Sequence, residues 1–140
     1  MERKAVRISE VMRTSLHMVS GLASVQDAIA EMNMHNVSSL IIERRDSDDE
    51  FGVITVHDIA SNVVAVNKST ERTTVYEVMT KPALTLDSDM NVKYAIRLLS
   101  RFRLTRALVT HGKELLGIVT LRDMVLGYVG SEDPATNAVE

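Results

Sequence analysis

The chain has 140 residues, a net charge of −3, 45% apolar content, no cysteine and no tryptophan. That length suits one compact domain or two small intimate ones, and so small a net charge argues against non-specific nucleic-acid binding, which needs a concentrated basic face, while leaving room for a local basic pocket. Disulfides and thiolate zinc sites are excluded as well, and the core has to be built from Val, Ile, Leu, Ala and eight Met.

Taken in order, Met1 to Arg7 is mostly basic and polar and reads as a loose arm or a short extension to the fold, without the apolar stretch of a signal peptide. Ile8 to Met12 reads as a helical turn, and Leu16 to Ser20 as a short strand stopped by Gly21. Ser24 is an N-cap candidate with Asp27 three residues on, where an acid suits the helix dipole. Val25, Ala28, Ile29 and Met32 then recur at helical spacing, which predicts one buried face ending near His35-Asn36. Ser39 to Glu43 and Phe51 to Thr55 read as a hairpin around a solvated acidic loop, and a helix follows with Val56, Ile59, Ala60, Val63 and Val64 on its buried face. Asn67 to Thr74 is a polar linker. A strand at Ala83 to Leu86, a helix capped by Asn91, and a hairpin of Arg106 to Thr110 with Leu115 to Thr120 come next. The last helix is lined by Leu121, Met124, Val125, Tyr128 and Val129, and residues 130–140 read as a frayed tail. Apolar runs reach about five residues, far short of the ~20 of a membrane span, so a cytoplasmic protein with no membrane attachment is expected.

The second half repeats the first. Gly52-Val53-Ile54-Thr55-Val56-His57-Asp58-Ile59 returns 65 positions later as Gly117-Ile118-Val119-Thr120-Leu121-Arg122-Asp123-Met124. Upstream the offset is 67: Glu10-Val11-Met12 returns as Glu77-Val78-Met79, and Val25, Ala28 and Ile29 as Val92, Ala95 and Ile96. The two extra residues of the first copy fall in the charged loop between Ile42 and Phe51, where a length change is tolerated. The chain is thus an α+β tandem duplication of two β-α-β-β-α units, residues 8–66 and 75–129. Each unit is too small to bury its sheet well alone, so packing through a pseudo-twofold is expected.

These residues resemble the cystathionine-β-synthase (CBS) domain family, and the chain as a whole a stand-alone CBS pair, or Bateman module. The resemblance covers about residues 8–129 and rests on the paired Val-Met openings, the element order, and two intact G-h-h-T-x-x-D-h endings (h, apolar). It implies that Thr55, Asp58, Thr120 and Asp123 bind an adenosine-containing ligand such as AMP, ADP, ATP or S-adenosylmethionine. It also implies that each Asp faces the segment before the second strand of the other repeat: Arg103 and Arg106 for Asp58, Ser38 and Ser39 for Asp123.

The chemistry of the motif allows two readings. Thr before a helix with an acid at N3 is an ordinary cap. The same helix start can offer backbone N–H groups to phosphate, with the Thr hydroxyl donating to phosphate oxygen and the Asp accepting ribose hydroxyls. Guanidinium groups at Arg103 and Arg106 suit bidentate phosphate binding, although Arg101 and Arg103 also suit a helix C-terminus as solvated charges. Arg122 sits unfavourably in a first turn, which points to an anionic neighbour, and His57 in the matching place is either a phosphate contact or plain surface. No nucleophile motif, Walker sequence or histidine metal spacing is present. Asp46, Asp48 and Glu50 alternate like calcium ligands but lack the Gly and Glu of an EF-hand. The expectation is a non-enzymatic regulatory module with no required cofactor and no metal. It would form a homodimer, sense an adenine nucleotide or similar ligand, and modulate an unknown protein. The alternative is a ligand-free structural or dimerisation module.

Overall fold

Repeated capping and periodicity translate directly into repeated elements. The computed structural model describes residues 5–131, so the basic start and most of the tail lie outside the described residues. The first copy contributes β1 (Met18–Val19), α1 (Val25–His35), β2 (Ser39–Ile42), β3 (Gly52–Thr55) and α2 (Val56–Ile59). The second contributes β4 (Thr85–Asp87), α3 (Val92–Phe102), β5 (Arg106–His111), β6 (Glu114–Thr120) and α4 (Leu121–Gly130). The order β-α-β-β-α holds in both.

Each copy has a three-stranded mixed sheet. The orders are β1-β2-β3 and β4-β5-β6, the first pair parallel and the second antiparallel in each case. Each central strand carries a three-residue apolar run covered on both faces: Leu40, Ile41 and Ile42 are 1–2% exposed, and Ala107, Leu108 and Val109 no more than 3%. Helices α1 and α3 form as their caps require. Ser24 Oγ accepts from the Asp27 N–H (3.0 Å) and Asn91 Oδ1 from the Lys93 N–H (2.9 Å). Both helices end on a left-handed residue, Asn36 (φ 53°) and Arg103 (φ 56°), which lets Val37 and Leu104 donate back to Met32 and Leu99.

The buried helical faces are narrower than the periodicity predicts. Ile29 is 38% exposed. After α2 the chain widens into a π turn, Ala60–Val64, with the Ala65 N–H bonded to the Ala60 carbonyl. Ile59 and Val63, four residues apart, are buried, while Val56 and Val64 are 50% and 61% exposed and Ala60 is also exposed. On α4 only Met124 is fully buried, and Val125 and Val129 are about half exposed.

The compact units do not follow the repeats. Among the described residues one comprises 5–15 with 84–131, the other 16–83. Each takes its opening segment from the other copy. Val6 and Ile8 are buried against Leu86, Val92 and Leu99 of the second copy, and Val75 and Val78 against Val19, Val25 and Ile54 of the first. Full burial of such a side chain contributes about 1.5–3 kcal/mol, enough to hold each segment in place. Of the two readings of the opening residues, 5–7 follow the short extension to the fold rather than the loose arm: the Val6 carbonyl accepts from the Val92 N–H, and Arg7 bridges Asn91. Nor is 67–74 a free linker, because the Thr70 and Thr73 carbonyls accept from Gln26 and Val25 at the start of α1.

The acidic loop differs from a solvated one at a single residue. The Asp49 side chain is 6% exposed, 2.8 Å from Lys81 Nζ and doubly bonded by Arg45. The hydrogen bonds from the Arg45 side chain and backbone, then that from Lys81, hold its carboxyl far below the usual carboxylate range. Asp46 serves the turn, accepting from the Asp48 N–H.

Candidate ligand site

Strand β3 runs straight into α2, and β6 into α4, so each motif Thr is at once the last strand residue and a helix N-cap. Thr55 Oγ1 accepts from the Asp58 N–H (3.1 Å), and Asp58 Oδ2 returns the bond to the Thr55 N–H (2.9 Å). Thr120 Oγ1 likewise accepts from the Asp123 N–H (3.1 Å). Accepting uses an oxygen lone pair and leaves the hydroxyl proton to be donated elsewhere.

The first turn offers less to an anion than the sequence implies. The Val56 N–H is bonded to the Ser38 carbonyl and the Leu121 N–H to the Thr105 carbonyl, both 2.9 Å. With the Asp N–H groups taken by Thr, the N–H groups of His57 and Arg122 are the first-turn donors outside these bonds. Both side chains are exposed.

Strand register decides the neighbours within each unit. Ser39 lies opposite Thr55, and Arg106 opposite Thr120. Within its own unit Arg106 is thus placed by the β5–β6 hairpin across from Thr120. Arg103 is exposed and forms the left-handed cap of α3. Ser38 is exposed just before β2.

A residue outside the sequence-predicted set reaches the second motif. Arg13 exchanges backbone hydrogen bonds with Ile118 on β6 (2.8 and 2.9 Å). Its side chain then embraces Asp123: Nε lies 3.3 and 3.2 Å from the two carboxylate oxygens, and the terminal nitrogen 3.2 Å from Oδ1. Asp123 is 13% exposed and Arg13 67%. Burial alone pushes the Asp123 carboxyl up, but the hydrogen bonds from Arg13 and Thr120 and the guanidinium charge outweigh it and leave it below its ordinary value. The same partnership raises Arg13. In the other unit Thr80 makes the equivalent backbone bridge with Val53 (3.0 and 2.9 Å). The two motifs therefore share a backbone and differ in charge. The signal was present in the sequence, since Arg13 follows Val11-Met12 as Thr80 follows Val78-Met79, but spacing alone does not show which motif the segment crosses.

The motif glycines have a matching reason. A side chain at Gly117 would run into the Arg13 carbonyl oxygen, and one at Gly52 would crowd Ile42 (3.2 Å) and Lys81 (3.4 Å). At Gly117 the close approach that glycine permits is by the protein's own opening segment.

Two further features lie away from the motifs. An apolar groove of about 390 Å³ runs between α1 and α2, lined by Ile29, Met32, Val37, Val56, Ile59 and Val64 among others, and contains neither Thr55 nor Asp58. Asp87, Asp89 and His111, all exposed, each bring one potential ligand atom to within 4.8 Å of the others. The Asp87 side chain there accepts the Asp89 N–H (2.8 Å), as an ordinary charged turn does.

The profile of the CBS domain matches residues 8–65 and 75–130, twice over the same chain. The chain belongs to the CBS-domain family. Its architecture matches that of solved CBS proteins, including a hexameric CBS-CP12 protein from bloom-forming cyanobacteria. That protein is 32% identical with a TM-score of 0.88, over 94% of this chain and 77% of the other. The CBS domain pair of protein MJ0100, crystallised with 5′-methylthioadenosine and S-adenosyl-L-methionine, shares the fold. The likeness there is 24% identity and a TM-score of 0.78, over 92% of this chain and all of that one. An uncharacterised protein of Methanopyrus kandleri is 27% identical over 87% of this chain, which spans 62% of that protein's length. Among the described residues no helix is long and apolar enough to cross a membrane.

Proposed function

We propose that this CBS pair is a regulatory module that binds an adenosine-containing ligand and passes its occupancy to another protein. Support comes from one duplicated arrangement. Each hairpin ends in a Thr whose hydroxyl keeps its proton and an Asp whose carboxylate lies one turn on. In this reading Thr55 and Thr120 donate to a phosphate or other polar group, and Asp58 and Asp123 accept the ribose hydroxyls. His57 and Arg122 contribute first-turn N–H groups, and Ser38, Ser39, Arg103 and Arg106 flank the two helix starts. The ligand class is AMP, ADP, ATP or S-adenosylmethionine, and the MJ0100 complex is a relative in which adenosyl compounds are bound. A signal requires that ligand bind two arrangements of the protein unequally.

A thermal-shift screen with AMP, ADP, ATP, NAD, S-adenosylmethionine and 5′-methylthioadenosine tests this, because a ligand of the folded state raises the melting temperature by mass action. At least one adenosyl compound should do so. The shift should shrink in Asp58→Ala and Asp123→Ala and vanish in the double variant, since a charge-assisted hydrogen bond contributes about 1.5–3 kcal/mol. A shift unchanged in the double variant would reduce both acids to helix caps. The second reading, a structural module without ligand, is favoured by the Arg13 guanidinium already paired with Asp123. Absence of any shift would select it.

A further inference from the structure

We propose that Arg13 is a specificity-determining residue of the Asp123 site, selecting adenosyl ligands that carry an anionic group over neutral nucleosides. The proposal rests on the adenosyl reading above and deepens it.

Asp123 already holds a partner. A ribose diol and a guanidinium are both donors, and they compete for the same two carboxylate oxygens. Arg13 bonds both of them, so a ribose gains Asp123 only by displacing Arg13. The displacement is sterically simple because the Arg13 side chain is largely exposed while Asp123 is nearly buried. The Arg13 backbone stays on β6 through its two bonds to Ile118, so the freed guanidinium remains at the site. With a neutral nucleoside it loses its carboxylate partner and gains nothing. A phosphoryl group offers a replacement, since guanidinium binds phosphate bidentately. Arg106, opposite Thr120, adds a second cation to the same unit.

The other copy is an internal control. Thr80 holds the matching backbone bridge with Val53, and Ser39 lies opposite Thr55 where Arg106 lies opposite Thr120. The Asp58 carboxylate accepts the Thr55 N–H and has no guanidinium at the matching positions. Arg13 is therefore not required by the fold at this place, and the two sites should differ in the charge of the ligand they accept.

Calorimetry on the full chain with Asp58→Ala isolates the Asp123 site, with AMP and adenosine as probes. Arg13 should give AMP at least a ten-fold advantage. Arg13→Gln should bring the two compounds to within about three-fold, with adenosine itself binding more tightly than before. Arg13→Lys, which keeps the charge and loses the bidentate fork, should retain part of the preference, and it serves as the second variant should Arg13→Gln fail to fold. An AMP-to-adenosine ratio unchanged by either substitution overturns the role of Arg13 while leaving the adenosyl reading intact. That role is overturned equally if both compounds bind the unaltered chain but not Asp58→Ala. No heat from either compound with the unaltered chain or any variant ends this proposal, whereas the adenosyl reading is ended only if every compound of the thermal-shift screen is silent as well.

Discussion

Arg13 and Ile118 exchange two backbone hydrogen bonds, 2.8 and 2.9 Å, although they belong to different copies of the repeat. The chain's opening segment thus becomes an extra edge of the second copy's sheet, and Thr80 does the same for the first copy through Val53. The bridge explains the glycine at 117, which faces the Arg13 carbonyl, and it leads to the first prediction.

Gly117→Ala should destabilise the protein by about 1–3 kcal/mol, as overpacking does, because its methyl group would meet the rigid Arg13 carbonyl. Gly52→Ala should cost less, since its nearest neighbours are the Ile42 and Lys81 side chains at 3.2 and 3.4 Å, which can give way. Urea denaturation of the two variants checks the order. Equal losses would show that the bridge does not set the requirement.

Asp49 should make folding stability acid-sensitive. Its folded-state carboxyl is held below its ordinary value by Arg45 and Lys81. A depressed pKa gives stability that is complete above the unfolded value, about 3.9, and is lost as pH falls through the folded one. Asp49→Asn should therefore be less stable than the unaltered chain at pH 7, with the gap closing as pH drops below about 4. A gap independent of pH would mean that the loop depends on shape rather than charge.

Arg103 occupies a left-handed conformation (φ 56°) at the end of α3. Such a conformation costs a residue with a Cβ roughly 1 kcal/mol or more and costs glycine almost nothing. Arg103→Gly should raise stability by about 0.5–1 kcal/mol. If it also weakens nucleotide binding, the guanidinium serves the ligand at the expense of the fold. Chemical denaturation and titration of the same variant separate the two effects.

The exposed valines of α2 with its following π turn, and of α4, bear on assembly. Val56 and Val64 are 50% and 61% exposed, Val125 and Val129 46% and 53%, an apolar surface on the same element in each copy. We expect a homodimer or larger assembly through these helices, and Val64→Glu with Val129→Glu should reduce its mass in light scattering. A monomer at micromolar concentration before substitution would remove the expectation.

The repeat, the element order and the helix caps were legible because each rests on residues close in sequence. Ser24 with Asp27, and Thr55 with Asp58, meet three positions apart through helical geometry alone. Likewise the apolar period of α3 placed Val92, Ala95 and Leu99 in the core. Periodicity errs in the width of the buried face: it places Val56 and Val64 in the core, yet they are 50% and 61% exposed, because apolar spacing does not show how much of a helix its neighbours cover.

What the sequence determined by itself is therefore the family's local grammar: two copies, their strands and helices, and a Thr and an Asp at each helix start. Only the tertiary structure decided which copy each opening segment packs against, and with that the pairing of Arg13 with Asp123 and of Lys81 with Asp49. The physical reason is that hydrophobic burial is non-directional. Val-Met openings so alike can cover either core, and the choice rests on how the chain closes. The charges carried by those segments acquire partners only once that choice is made.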